Sequence, residues 1–264
     1  SMPELEVKYR AHLAAATTDS LDLGAWLPSL GCSVRKLVPG ELAVLLADTG
    51  TGKTAMLQSI AIAASPLPTV FFELELPPEL MYERLVAMKH GIPCEDVERA
   101  YRDNVPITGA SEFPNLYICT EAGLSVDSIE EMINHSELRI GSRPKLVLVD
   151  YIGLVGARGA SRYDRISNIA ERLKTIAKLT RTIIVCASQV HRPEDSEPEV
   201  GLHDAKDSGS IENSSGFVLG GWRDPSYKAT MWLKILKNTK GSSGKLIECN
   251  FDGPTLRKRA ERVG

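Results

Sequence analysis

One short segment constrains this chain more than any other: the octapeptide ADTGTGKT at residues 47–54. It stands between an apolar run, 42–46, that predicts a buried strand, and residues 54–64, whose small and aliphatic side chains recur at helical spacing. Glycines let a backbone turn so that N–H groups converge on an anion, and the start of a helix adds partial positive charge. The segment therefore predicts a phosphate-binding loop for a nucleoside triphosphate such as ATP.

The residues of this loop are the candidate nucleotide contacts: Asp48, Thr49, Gly50, Thr51, Gly52, Lys53 and Thr54. Lys53 is expected to reach the β- and γ-phosphates, and the Thr54 hydroxyl to hold Mg²⁺. Ala47 stands where the usual pattern begins with glycine. A chance turn rich in Gly and Thr is the alternative, and the strand-loop-helix context argues against it.

Composition favours a soluble, cytoplasmic protein without membrane contacts. The 264 residues suffice for one large α/β domain, and hydrophobic and charged fractions of 43% and 25% are typical of globular chains. No apolar run approaches the length that spans a bilayer. The five cysteines are far apart and form no C-x-x-C pair, so we expect reduced, buried thiols rather than a zinc site.

Aliphatic segments alternate with helical ones along most of the chain. Helices are predicted at 4–16, 54–64, 79–90, 125–138 and 167–180, and strands at 42–46, 69–75, 116–120, 145–150, 182–188, 216–222, 229–236 and 245–251. In the helix at 79–90, apolar Leu80, Leu85 and Met88 recur at helical spacing. This order predicts an α/β fold with a mostly parallel central sheet, helices on both faces and a C-terminal β-hairpin.

Polar residues close three of the predicted strands. Asp150 ends an aliphatic strand, where a carboxylate is costly to bury unless it meets a hydrated Mg²⁺; an ordinary turn aspartate is the alternative. Glu75 could orient and deprotonate an attacking water, but alternation places Glu73 on the same side and leaves the choice open. Gln189 follows another strand, where its amide could contact the γ-phosphate.

A net charge of −3 argues mildly against a surface that coats nucleic acid throughout. Three local basic clusters stand out: Arg158, Arg162 and Arg165 in one predicted loop; Lys234, Lys237 and Lys240 along a late strand; and the tail Arg257-Lys258-Arg259. A solvated face is the alternative for each of them, and we prefer it for the tail.

The order of these segments resembles the motor domain of DnaB-type replicative helicases, which are RecA-like P-loop hexamers that move on single-stranded DNA. The resemblance covers residues 38–252 and is carried by ADTGTGKT (47–54), FELELP (72–77), VDYIGL (149–154), SQ (188–189) and DAKDSGSIE (204–212). The last stretch, similar to a DNA-contacting loop of that family, is the most specific because phosphate loops are widespread. The family's loop also commonly begins with alanine.

The resemblance implies roles for individual residues. Lys53 and Thr54 match the nucleotide and Mg²⁺ positions, and Asp150 matches the Mg²⁺-associated aspartate. Glu75 matches the catalytic base, which decides against Glu73, and Gln189 matches the γ-phosphate sensor. The expected DNA contacts are Lys206, Asp207 and Gly209 on a loop lining a central channel, together with Arg158 and Arg162.

The chain departs from this family pattern in two places. Lys237 matches a lysine that reaches the neighbouring subunit's γ-phosphate, but Thr239 stands where an arginine finger is expected, and Lys240 is the candidate substitute. We divide the chain into a linker-like helix and lead-in (1–37) and an ATPase domain (38–264). The family's N-terminal collar has no counterpart, which predicts a stand-alone motor or a truncated chain.

These inferences predict an ATP- and Mg²⁺-dependent motor that translocates on single-stranded DNA and unwinds duplex DNA. Its expected partners are copies of itself, in a hexamer, and a primase or helicase loader. The alternative is a RecA-like regulatory or recombination-associated ATPase that assembles without unwinding. A small-molecule kinase is a weaker third reading, because no acceptor pocket or lid is evident.

Overall fold

Aliphatic runs form the strands in the computed structural model, which describes residues 1–190, 199–204, 209–223, 226, 229–252 and 257–263. Its helices are α1 (Met2–Thr18), α2 (Leu23–Trp26), α3 (Pro28–Gly31), α4 (Lys53–Ala64), α5 (Pro78–His90), α6 (Cys94–Arg102), α7 (Val126–Ile140), α8 (Arg162–Thr180) and α9 (Gly209–Ser214). Its strands are β1 (Leu42–Ala47), β2 (Thr69–Glu73), β3 (Leu116–Cys119), β4 (Leu146–Asp150), β5 (Ile183–Gln189), β6 (Phe217–Arg223), β7 (Thr230–Asn238), β8 (Leu246–Asp252) and β9 (Arg257–Val263).

Within the described residues these strands form one sheet in the order β3-β2-β4-β5-β1-β6-β7-β8-β9. From β3 to β6 in that order, neighbouring strands run parallel, whereas β7, β8 and β9 continue the sheet antiparallel. The predicted α/β fold with a mostly parallel sheet is confirmed, and β7 and β8 form the expected antiparallel pair. The carboxyl ends of all the parallel strands therefore lie side by side at one end of the sheet.

The sheet divides the core into two apolar layers, as β1 illustrates. Ala43, Leu45 and Ala47 belong to one buried cluster, which takes in side chains of α4 and α5. Leu42, Val44 and Leu46 belong to the other, which takes in α7 and α8. Because successive side chains of a strand point to opposite faces, a fully aliphatic strand must be covered on both sides. This double cover confirms helices on both faces.

Helix α8 begins five residues earlier than the predicted start at 167. Ser161 caps it, because its Oγ accepts a hydrogen bond from the Asp164 N–H at 3.0 Å and its own N–H donates to the Asp164 carboxylate at 3.0 Å. This capping box satisfies N–H groups that a helix start leaves free. Arg162 and Arg165 therefore lie on a helix, and the predicted loop placement is wrong for both.

Other expectations also need correction. The segment 257–263 forms strand β9 beside β8, whereas the solvated face that we prefer for Arg257-Lys258-Arg259 stays a prediction. Leu80 is exposed, so the buried face of α5 uses Leu85 and Met88 without it. Cys32 is exposed and Cys94 half-buried, whereas the other three cysteines are buried as expected.

The segment before β1 packs into the domain. Six apolar side chains between α1 and β1 are buried in the same cluster as the helix that follows the phosphate loop: Leu21, Leu23, Leu27, Leu30, Val34 and Leu37. Helix α1 itself exposes Leu5, Val7, Tyr9 and Leu13. The predicted division at residue 37 stays a prediction, and this burial favours an earlier one. Among the described residues, no helix combines the length and apolar character needed to cross a bilayer.

Candidate nucleotide-binding site

The loop between β1 and α4 has the backbone that its glycines predict. Gly50 and Gly52 adopt φ values of +76° and +107°, in the left-handed region that residues with a Cβ rarely enter. Gly52 is the N-cap of α4, and no side chain caps that helix. The first N–H groups of α4 are therefore directed toward the loop, as phosphate binding requires.

Lys53 occupies the centre of this loop. Its side chain is buried, and Nζ donates hydrogen bonds to the carbonyl oxygens of Asp48 at 2.9 Å and Ala47 at 3.3 Å. Burial lowers the pKa of Lys53, whereas the carboxylates of Asp150, Glu75 and Asp48 act to raise it. The predicted phosphate-contacting lysine, the predicted base Glu75 and the predicted Mg²⁺-associated Asp150 thus lie within electrostatic range of one another.

Asp150 is the last residue of β4, and its side chain is completely buried. Burial raises its pKa to about 6, against the opposing effect of the nearby Thr54 hydroxyl. Among the described residues, neither carboxylate oxygen of Asp150 has a hydrogen-bond partner. Because an unpartnered buried carboxylate is costly, this arrangement suits a cation.

The oxygen donors of Asp150 and Thr54 fit Mg²⁺, which prefers hard ligands and keeps most of its coordination for phosphates and water. In the described part of the chain, no three His, Cys, Asp or Glu side chains group as metal ligands. A cage made entirely by protein side chains is therefore not formed there. One carboxylate and one hydroxyl are what a nucleotide-bound Mg²⁺ needs from the chain.

Glu73 and Glu75 occupy different environments. Strand β2 ends at Glu73, so Glu75 lies in the following turn rather than on the strand as predicted. The Glu73 side chain is buried, and its Oε1 accepts the N–H groups of Glu75 and Leu76. Glu75 is exposed and acts electrostatically on Lys53 and Asp150. Of the two acids, Glu75 is the one that can meet a substrate water.

Gln189 ends β5, directly beside the last residue of β1. Its Nε2 donates a hydrogen bond to the Thr49 Oγ1 of the phosphate loop. The strand order brings these residues together although 140 positions separate them. Gln189 thus lies at the loop, as its predicted role requires.

The sequence alone predicts no role for two arginines near the phosphate loop. Arg84, on α5, lies close enough to Asp150 to oppose the rise in its pKa. Arg223 ends β6, and its Nε donates to the Thr51 carbonyl oxygen at 3.0 Å. Arg223 thereby braces the phosphate loop. A charged residue that closes an apolar strand beside β1 was the available signal, and it is the same signal that identified Asp150.

Lys237 and Lys240 lie away from the phosphate loop, toward the other end of the strands. Lys237 is the register partner of Val218 near the start of β6, whereas the phosphate loop follows the end of β1. Val218 in turn pairs with Val44, three residues before the end of β1, so Lys237 lies about 10 Å from the carboxyl end of the sheet along the strand direction. Lys237 donates to the Glu212 carbonyl oxygen, and Lys240 forms an ion pair with Glu41 at 2.7 Å. Both side chains are therefore engaged away from the phosphate loop of their own chain.

The predicted DNA-contacting residues are placed only in part. Lys206 and Asp207 lie outside the described residues, and Gly209 begins α9. Arg158 precedes α8, and its carbonyl oxygen accepts a hydrogen bond from Asn168 Nδ2 at 2.8 Å. Arg162 lines a cavity of about 290 Å³ together with Tyr151, the residue after Asp150. Their contribution to DNA binding stays a prediction.

The fold and the site define the class of this protein: a P-loop nucleotide-binding domain with a mostly parallel sheet. A family model, DnaB-like helicase C terminal domain, matches residues 27–258, and the chain belongs to this family. The replicative DNA helicase DnaB of Mycoplasma genitalium is 30% identical over 82% of this chain and 52% of its own length. The DnaB of Leifsonia xyli subsp. xyli is 28% identical over 73% and 44%, respectively. The chain spans about half the length of such curated relatives.

Two solved structures show the same fold. The ATPase domain of G40P superposes with a TM-score of 0.80 at 21% identity, covering 98% of both chains. A DnaB-like replicative helicase, described with its interactions with primase, gives a TM-score of 0.71 at 22% identity and covers 84% of this chain and 59% of that one.

The buried acid Asp150 predicts how stability depends on pH without Mg²⁺ and nucleotide. Because its pKa rises from 3.8 to about 6 on folding, its stabilising contribution is present below about pH 4 and is lost as pH rises through about 6. Between about pH 5 and pH 7.5, wild type should lose about 1 kcal/mol more unfolding free energy than Asp150→Asn.

Urea unfolding at each pH measures this difference. Asp127→Asn is the matched control, because the Asp127 side chain is 79% exposed and should leave the wild-type slope unchanged. Equal pH slopes for wild type and Asp150→Asn would contradict the burial of a charged group at this position.

Proposed function

We propose that this chain is the motor domain of a DnaB-like helicase, which hydrolyses ATP with Mg²⁺ to move along single-stranded DNA and separate duplex strands. One observation carries the proposal. The phosphate loop follows the carboxyl end of β1, whereas Lys237 lies nearer the other end of the strands and bonds to the Glu212 carbonyl oxygen instead of the loop. In a ring of identical subunits, such as a hexamer, the phosphate loop of one subunit and Lys237 of its neighbour meet at each junction between subunits.

In this proposal each residue of the site has one task. Backbone N–H groups of the loop and Lys53 bind the phosphates, Gln189 contacts the γ-phosphate, and Glu75 accepts a proton from the attacking water. Asp150 and Thr54 would hold Mg²⁺, which offsets phosphate charge when bound. Lys237 of a neighbouring subunit would contact the γ-phosphate across the junction, with Lys240 as a second candidate once it leaves Glu41.

DNA is proposed to run through the centre of the ring, along Lys206, Asp207 and Gly209, with Arg158 and Arg162 as further contacts. Phosphate contacts from a few inward-facing groups suit an acidic chain, because they need no overall positive charge. A primase or a loader is the proposed further partner. A regulatory ATPase is less favoured, because the chain belongs to a helicase family.

Mg²⁺-dependent ATP hydrolysis with and without single-stranded DNA tests the proposal, together with strand displacement from a forked duplex. A motor is stimulated several-fold by DNA and displaces the strand. Hydrolysis that ignores DNA, without displacement, would instead identify a regulatory ATPase. Transfer of phosphate to a small molecule, with no polynucleotide effect, would identify a kinase. Lys53→Ala is the control for contaminating activity.

A further inference from the structure

Glu73 is a buried acid that the proposed chemistry does not use. It is the last residue of β2 and only 1% exposed. Its Oε1 accepts two backbone hydrogen bonds, from the N–H of Glu75 at 3.0 Å and from that of Leu76 at 2.8 Å. Both donors belong to the turn that carries the proposed base. One carboxylate oxygen thus fixes the backbone on both sides of the Glu75 Cα.

The same turn is held by its other neighbours. The Leu74 N–H donates to the Asp150 carbonyl oxygen at 3.0 Å, which extends the pairing of β2 with β4 by one step. After the turn, the Pro77 carbonyl oxygen accepts the first hydrogen bond of α5, from Met81. Three successive N–H groups, at 74, 75 and 76, are therefore tied to the edge of the sheet, two of them by Glu73.

Packing alone does not explain a carboxyl group at this position. Its second oxygen, Oε2, is buried and has no hydrogen-bond partner among the described residues. Burial, together with the neighbouring Asp150, raises the pKa of Glu73 to about 7. An apolar side chain of similar volume would avoid this cost. What the glutamate supplies, and an apolar residue cannot, is the pair of directed hydrogen bonds to the turn.

We propose that Glu73 is a positioning residue that holds Glu75 toward the nucleotide by accepting the N–H groups of Glu75 and Leu76. The inference rests on the proposed function only in its consequence for catalysis. Its structural part, the fixed turn, can be measured without any hydrolysis.

Two substitutions separate the hydrogen bonds from the charge. Glu73→Gln keeps the side-chain length and an acceptor oxygen but removes the charge, and its NH₂ group takes the place of the unpartnered Oε2. Glu73→Asp keeps the charge but is one methylene shorter, so its carboxylate reaches the N–H groups of Glu75 and Leu76 only if the turn shifts toward β2. Glu73→Met removes both the acceptor and the charge at similar volume.

The first readout is amide hydrogen exchange at Glu75 and Leu76 in the nucleotide-free chain. Glu73→Gln should keep both amides within about threefold of wild-type exchange, whereas in Glu73→Met both should exchange at least about tenfold faster. The amide of Leu74, which bonds to Asp150, is the internal control and should not change. Exchange as fast in Glu73→Gln as in Glu73→Met would overturn the proposal, and so would wild-type exchange in Glu73→Met.

The second readout separates kcat from nucleotide affinity. Asp and Met should lower kcat by about ten- to a hundredfold, as expected for a displaced catalytic group, while the Kd for ATP stays within about twofold. Gln should keep kcat within about threefold of wild type. If Glu75→Gln leaves turnover unchanged, the proposed base is wrong; if it abolishes turnover while Glu73→Met does not lower it, the positioning role of Glu73 is wrong. Thermal unfolding confirms that each variant is folded.

Discussion

Glu75→Gln is expected to lower ATP turnover by about two to four orders of magnitude while ATP still binds. The substitution keeps the size of the side chain and removes only its ability to accept a proton. Glu75 is exposed in the turn after β2 and within electrostatic range of Lys53 and Asp150, so its carboxylate can meet a water near the phosphates. Single-turnover hydrolysis and equilibrium binding of a fluorescent ATP analogue measure the two effects separately.

The matched control for this prediction is Glu79→Gln. Glu79 is also exposed and acidic, but it lies in the first turn of α5, beyond the turn that Glu73 fixes. It should keep turnover within about twofold of wild type, as is usual for exposed positions away from a site. Wild-type turnover in Glu75→Gln would remove Glu75 from the mechanism and return the choice between the acids of this segment to experiment.

Lys237→Ala is expected to lower turnover by about a thousandfold, the lower end of what a charge supplied from a neighbouring subunit contributes. In this structure Lys237 bonds to the Glu212 carbonyl oxygen and not to the phosphate loop of its own chain, so we expect the loss to act across a junction. The control is Lys234→Ala on the same strand, where the lysine pairs with Glu199 and should matter little.

Mixing two inactive variants makes the assignment decisive. In a mixed assembly, a Glu75→Gln subunit supplies an intact Lys237 to a neighbour whose Glu75 is intact but whose own Lys237 is alanine. Some junctions then hold both groups, and activity should return to a measurable fraction of wild type. No recovery on mixing, in a sample shown to contain mixed assemblies, would mean that Lys237 does not act in trans.

The sequence predicted well where the central residues of the site lie, because a local pattern marks each of them. The phosphate loop is one contiguous segment with glycines at the required positive φ values, and Asp150 and Gln189 each close an aliphatic strand. Once the strands are parallel, their carboxyl ends must meet, so these residues converge without further information. Which of them act in catalysis stays a prediction.

The division of labour between Glu73 and Glu75 could not be predicted in the same way. Period-two alternation assumes that the strand continues to Glu75, but β2 ends two residues earlier, because the Glu73 carboxylate captures the next N–H groups. The arginine that closes β6 was visible in the sequence, but its contact with the Thr51 carbonyl oxygen spans 172 positions and could not be predicted. In contrast, the early start of α8 was readable, since Ser161 and Asp164 have capping-box spacing.

Because Lys237 lies away from the phosphate loop of its own chain, the proposed activity depends on assembly. In the proposed assembly, a complete reaction centre belongs to a pair of chains rather than to one chain. The number of working centres then depends on how many junctions exist, and mass action links that number to protein concentration. Dilution would then abolish the activity by dissociating the assembly, while every chain stays folded.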